Sequence, residues 1–209
     1  MHIDIYHDTV CPWCRIGKAN LRHALQQWQG EAVSIGYKTF FLNPNLPEEG
    51  ADFVPYMNAK VGGRIPLAQM FAGPREAGRR VGLNFNFEAI SRAPNSTLSH
   101  MLIASAVPEQ REALIDAIYH AYFEAGEDIG ALATLVKLAQ SVGMSQETVH
   151  QVLKDEALRA QVEAEANEAH SLGITGVPFF IINQRYAFSG AQPPETILNV
   201  LQQVAQKSE

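Results

Sequence analysis

Cysteine occurs at two positions in this chain of 209 residues, and both lie in the run Cys11-Pro12-Trp13-Cys14 close to its start. No other feature constrains the fold as tightly. Two cysteines separated by two residues can meet across a single turn of backbone. Pro12 suits the first position of a helix, where the backbone N–H it lacks would have no partner. The motif therefore marks a helix start. Upstream, Ile3-Asp4-Ile5-Tyr6 reads as a short strand. Downstream, Cys14, Gly17, Leu21, Leu25 and Trp28 recur at helical spacing, and the stripe ends near Gly30. Val33, Ile35, Tyr37 and Thr39 alternate again, so the chain opens strand, helix, strand.

Asn43-Pro44-Asn45-Leu46-Pro47 stops that pattern with turn residues. From 43 to 174 the periodicity is helical, with no convincing strand. Asn95-Ser96-Thr97 reads as the cap of a helix reaching about Val107. Glu109 to Ala125 carries Leu114, Ile118 and Ala121 on one face, and Gly126 suits a left-handed cap. Ser145 is placed to cap a further helix, and Leu158, Val162, Ala166, Ala169 and Leu172 form a last stripe closed by Gly173. Strand character returns in Val177-Pro178-Phe179-Phe180-Ile181-Ile182, with a turn at Asn183-Gln184 and a second strand from Tyr186 to Phe188. Pro193-Pro194 opens a final helix. The expected architecture is α/β: a βαβ…ββα core formed by 1–42 and 175–209, interrupted by a large all-helical insertion over 43–174 that acts as a lid.

The chemistry follows from where the cysteines stand. The first sulfur of a C-x-x-C at a helix N-terminus lies near unsatisfied backbone N–H groups and is expected to be the more exposed. Cys11 is then the attacking thiolate, and Cys14 resolves the mixed disulfide. The helix dipole contributes ~0.3–2 kcal/mol, at most about a unit and a half from a thiol pKa near 8.5. A strongly oxidising site needs a cation as well, and His7 at the end of the first strand is the candidate. Arg15 and Lys18 lie further along the helix, and Asp8 would oppose the shift. Pro12 and Trp13 are candidate substrate contacts, Trp13 as an apolar surface pushed towards solvent. Pro178 stands at the start of what otherwise reads as a central strand, which points to a bend or a cis bond. Val177 and Pro178 stand at that point.

Composition narrows the function classes. With 16 Lys+Arg against 22 Asp+Glu the net charge is −6, which argues against nucleic acid and anionic membranes as partners. No apolar run approaches the roughly 20 residues of a membrane span. The first residues lack the basic and apolar regions of a secretory leader, so a cytoplasmic location is expected. There a C-x-x-C is more often catalytic, redox-sensing or metal-binding than structural. Cys11, Cys14 and His7 make three ligands where structural zinc takes four, and His23, His100, His120, His150 and His170 are scattered, so no metal is expected.

Asp8-Thr9-Val10-Cys11-Pro12-Trp13-Cys14, Asn95-Ser96-Thr97 with His100, Gly126-Glu127-Asp128-Ile129, Gly176-Val177-Pro178-Phe179-Phe180 and Ser189-Gly190-Ala191-Gln192-Pro193-Pro194 run the length of the chain. In these motifs the sequence resembles the DsbA family of thioredoxin-fold oxidoreductases, and within it the FrnE type found in the cytosol. The resemblance implies a thioredoxin fold with a helical roof, and thiol–disulfide oxidoreductase or isomerase chemistry on a protein or small molecule. It casts Cys11 as nucleophile, Cys14 as resolving thiol and Pro178 as the cis-proline, with Val177 and Pro178 offering backbone contacts to a substrate, and it places His100 over the site. It implies no bound cofactor, with glutathione as a candidate redox partner. Some FrnE-type members carry a second cysteine pair, which this sequence lacks. The alternative is a glutathione-dependent isomerase or transferase similar to 2-hydroxychromene-2-carboxylate isomerases and kappa-class transferases. Those usually have serine at the nucleophile position and a polar-plus-acidic pair where this chain has Ala191-Gln192.

Overall fold

The computed structural model describes residues 1–207. Strand β1 (His2–His7) leads into helix α1 (Pro12–Gln27) and strand β2 (Ser34–Thr39), and the chain closes with β5 (Phe179–Ile182), β6 (Tyr186–Ser189) and α10 (Pro194–Gln206). These four strands form one sheet in the order β2-β1-β5-β6. β1 runs parallel to β2, with Ile3 opposite Ile35, and antiparallel to β5, with Ile5 opposite Phe180. β5 and β6 form a hairpin across the three-residue loop Asn183-Gln184-Arg185, in which Asn183 and Gln184 both have positive φ (50° and 55°) and the Arg185 N–H donates to the Ile182 carbonyl oxygen at 3.0 Å, as in a type I′ turn.

Alternation along the strands divides the sheet into two faces. Ile3, Ile5, Phe180 and Ile182 point to one, where they pack with Leu21 and Ala24 of α1 and Ile197, Leu201 and Val204 of α10. Tyr6, Phe179 and Ile181 point to the other, where they meet Phe40, Ala169 and Ile174. Ala169 belongs to α9 (Glu156–Ser171), whose N-terminus is capped by Asp155 accepting from Ala157 and Leu158.

Between β2 and β5 the chain is mostly helical: α2 (Phe53–Lys60), α3 (Leu67–Met70), α4 (Ala72–Arg80), α5 (Thr97–Ser105), α6 (Pro108–Phe123), α7 (Leu132–Ser141) and α8 (Gln146–Val152), then α9. The expectation of no strand here needs correction. Ala51–Asp52 (β3) and Arg92–Ala93 (β4) pair antiparallel as a two-residue ribbon. Two residues are too few to show alternation in the sequence, and the pairing joins segments about 40 positions apart. Gly50, at φ 69°, makes the approach, because a side chain there would lie 2.5 Å from the Ala93 carbonyl oxygen.

The helices between the sheet strands have their own apolar core. It includes Phe53, Phe71, Phe85, Phe87, Met101, Leu102, Leu114, Ile118, Tyr119 and Phe123, and it also takes in Cys11, Cys14 and Ile16. The cysteine pair therefore packs against the roof, not within the sheet core.

Candidate functional site

The first turn of α1 is set by its own sequence. Cys11 is the N-cap residue, with extended backbone (φ −102°, ψ 111°), and Pro12 takes the first helical position. The carbonyl oxygen of Cys11 accepts from the backbone N–H of Cys14 and of Arg15. The Val177–Pro178 peptide bond is cis, and the Cys11 thiol lies 3.5 Å from the Val177 carbonyl oxygen, to which it donates. Gly17 allows this approach between α1 and the loop before β5. A methyl group on it would stand 2.8 Å from Pro178 Cγ and 3.4 Å from the Phe180 ring. The apolar stripe of α1 includes Gly17 but gives no sign of this role, because the partner lies 161 positions away.

Cys11 is 4% exposed and Cys14 2%. The expectation of an exposed first sulfur is thus corrected: Cys11 opens onto a cavity, not onto bulk solvent. That cavity has a volume of about 400 Å3 and is walled by Val10, Cys11, Pro12 and Trp13 on one side and Gly176 and Val177 on another. Residues of the helical segment complete it: Phe53, Tyr56, Met57 and Lys60 of α2, then Met70, Phe71, Phe87, Tyr122 and Phe123. Trp13 forms part of the rim and is 40% exposed. Burial and hydrogen bonding to Cys11 push the Cys14 thiol well above the ordinary thiol range, so it stays protonated at neutral pH.

Behind the cysteines lies a closed polar cluster. Asp8 is fully buried, and its carboxylate accepts from the Leu42 backbone at 2.7 Å, the Val10 backbone at 3.3 Å and His100 Nε2 at 3.4 Å. The Ser99 hydroxyl donates to the Ser96 carbonyl oxygen at 2.8 Å, which leaves Thr9 to donate to Ser99 Oγ, also at 2.8 Å. These bonds fix the loop between β1 and α1 to α5. His7 Nδ1 lies 3.0 Å from the Tyr119 hydroxyl, which itself donates to the Asp8 carbonyl oxygen at 3.3 Å. The hydroxyl has one proton to give, so His7 carries its own on Nδ1.

His7 therefore cannot be the activating cation expected of it. Burial, reinforced by His100 and Lys18, holds its imidazole well below the usual range, and it is neutral at pH 7. Nor does His100 sit over the sulfur; it lies behind Asp8, outside the cavity wall. The cations of α1 are committed elsewhere. Arg15 pairs with Asp116 and Glu124 of the α6 region, Lys18 with Glu112 and Asp116, and Arg22 with Asp116. They tie α1 to the roof. The cation facing the cavity is Lys60, which sequence reading missed. Phe53, Tyr56, Met57 and Lys60 do recur at helical spacing, but nothing in that spacing says which cavity they face.

Among the described residues no cluster of three His, Cys, Asp or Glu side chains could hold a metal ion, and no helix is long and apolar enough to cross a membrane. The arrangement supports chemistry at one sulfur, with a protonated thiol beneath it and a backbone carbonyl beside it.

The model of the DSBA-like thioredoxin domain matches residues 2–202. The chain belongs to this family. A probable DsbA oxidoreductase of Streptomyces coelicolor is 31% identical and superposes with a TM-score of 0.86, over 97% of this chain and 89% of that one. The uncharacterized protein YwbO of Bacillus subtilis is 26% identical over 184 residues, 87% of this chain and 86% of its own. The cytosolic disulfide reductase DsbM of Pseudomonas aeruginosa, solved with GSH, shares the fold at 17% identity, with a TM-score of 0.68 over 99% and 100% of the two chains. The α/β thioredoxin fold carrying a helical insertion, expected from the motifs, is thus the fold of this DSBA-like protein.

Proposed function

We propose that this DSBA-like protein is a thiol–disulfide oxidoreductase in which Cys11 is the nucleophile and Cys14 the resolving thiol. One observation carries the reading. Cys11 faces a cavity at a helix N-terminus beside the Val177 carbonyl, while Cys14 is sealed beneath it and kept protonated by burial. The Cys11 thiolate attacks one sulfur of a substrate disulfide, forming a Cys11–substrate S–S bond and expelling the first substrate thiolate. Cys14 then attacks Cys11 Sγ and expels the second. Its proton passes to one of the departing thiolates, and the dithiol's two electrons reduce the substrate disulfide. Pro12, Trp13, Val177 and Pro178 form the contact surface around the attacked bond. Two thiol equivalents, such as glutathione, would return the pair to the dithiol without a resident cofactor. Two non-structural cysteines fit a reducing, cytoplasmic setting. In this reading 1–42 with 175–209 form the redox core and 43–174 its lid.

His7 and His100 then support the site through Asp8 and Tyr119, by holding the loop between β1 and α1 in place. The test is exchange with the purified dithiol. Cys11→Ser should reduce disulfide exchange to background, and Cys14→Ala should accumulate a mixed disulfide visible as a mass increase. Exchange that persists in Cys11→Ser would remove the mechanism.

A further inference from the structure

The cavity over Cys11 has a composition that thiol exchange alone does not require. Its walls are ring-rich, with Phe71 and Phe87 stacked at 4.3 Å between centroids and Phe53 and Phe71 at 5.8 Å. Beside the Cys11 sulfur, Lys60 is the single formally charged side chain among the lining residues. Its ammonium donates to the side-chain oxygen of Asn43 and to the Leu42 carbonyl oxygen at 3.4 Å, both neutral acceptors. The nearest buried acid, Asp8, is absent from the wall and is engaged by Leu42, Val10 and His100. Lys60 thus holds a positive charge, unpaired with any carboxylate, at the solvent-exposed edge of a largely apolar chamber.

Gly176 is exposed and Val177 half-buried at the edge of the chamber, whereas Phe53, Phe71 and Phe87 are buried in its wall. A volume of about 400 Å3 lies in the range of small-molecule sites, roughly 300–1,000 Å3.

We infer that the substrate of the proposed exchange is a small aromatic disulfide bearing a carboxylate, its ring among Phe53, Phe71 and Phe87 and its anion at Lys60. This rests on the oxidoreductase reading above and narrows it from any disulfide to one chemical class. The chemistry is unchanged: two electrons pass from the Cys11–Cys14 dithiol to the substrate S–S bond, which leaves as two thiols.

The experiment uses the full-length, pre-reduced protein, with oxidation of the pair followed by acid quench and mass. The probes are 3,3′-dithiodibenzoate, its neutral dicarboxamide, oxidised glutathione and insulin. Each rate is divided by that of dithiothreitol with the same probe, which removes intrinsic reactivity. The dibenzoate should outpace the dicarboxamide by about fivefold, as an unscreened pair near a surface would give, and should outpace glutathione and insulin by more. Lys60→Met should bring the carboxylate-to-amide ratio to about one, and Lys60→Arg should keep it. The ratio is the readout because it cancels any effect of the substitution that all probes share. Should Lys60→Met fold poorly, the wild-type ratio must still shrink as salt is raised. A ratio near one in the wild type, or insulin as the fastest probe, overturns the inference and leaves the oxidoreductase reading standing. If no probe oxidises the pair, that reading falls first.

Discussion

The core between the sheet and helices α1 and α10 is mainly aliphatic, formed by Ile3, Ile5, Leu21, Ile182, Ile197, Leu201 and Val204 around Phe180. The core of the roof is rich in rings, with Phe53, Phe71, Phe85, Phe87, Tyr119, Tyr122 and Phe123 packed at centroid distances from 4.3 to 6.1 Å. Branched aliphatic side chains on a pleated surface interdigitate and close the space between layers. The rings of the roof come from separate segments and pack both stacked, as Phe71 on Phe87, and tilted, as Phe85 on Phe123. Beside these rings lies the chamber over Cys11. The Cys11 sulfur lies at the edge of the ring-rich core, facing that chamber.

That contrast predicts unequal costs for the same truncation. Phe180 is fully buried and stacked on Phe188 at 4.4 Å, so Phe180→Ala should cost about 3–5 kcal/mol in denaturant unfolding. Phe71 already has the cavity on one side, so Phe71→Ala removes fewer contacts. It should cost roughly 1–3 kcal/mol, while shifting the relative rates of aromatic and polar disulfides. Equal costs would show that the roof is packed as tightly as the sheet, and the distinction would fail.

Gly17→Ala probes the seam between the two regions. The added methyl meets Pro178 at 2.8 Å and should cost ~1–3 kcal/mol through overpacking. It should also slow exchange, by moving the Val177 carbonyl relative to Cys11. Lost stability with unchanged exchange would mean that the seam serves packing alone.

The smallest effect concerns the polar cluster beneath the roof. Burial depresses the folded-state pKa of His7 far below that of the unfolded chain, near 6.5. As pH falls through about 6.5, the unfolded state takes up a proton that the folded state refuses, and stability drops. The slope reaches at most ~1.4 kcal/mol per pH unit, and the stability is fully present above that range. His7→Phe should flatten the curve between pH 6.5 and 5 relative to wild type. An unchanged slope would show that His7 gains protons in the folded protein.

Much of the frame was legible before any tertiary structure. The helix start at Cys11 is written in Pro12 and the apolar stripe after it. Ser145 does cap α8, accepting from the Thr148 backbone at 3.1 Å, and the hairpin turn lies at Asn183-Gln184. These are local properties, set by dihedral preference and periodicity within a few residues. The two-residue ribbon β3–β4 was hidden because it depends on pairing across the chain. His7 was misread as a cation because its charge depends on desolvation, and desolvation depends on α5 and α6 folding over it.

The sequence by itself determined that two cysteines would lie at a helix N-terminus within a βαβ…ββα frame, since spacing, proline and alternation act over short range. Only the tertiary structure decided which groups share space with the sulfur. Lys60 comes from 49 positions downstream and Val177 from 166. The neutrality of His7, the contact of Gly17 with Pro178 and the cavity itself arise from packing between segments that carry no mark of one another.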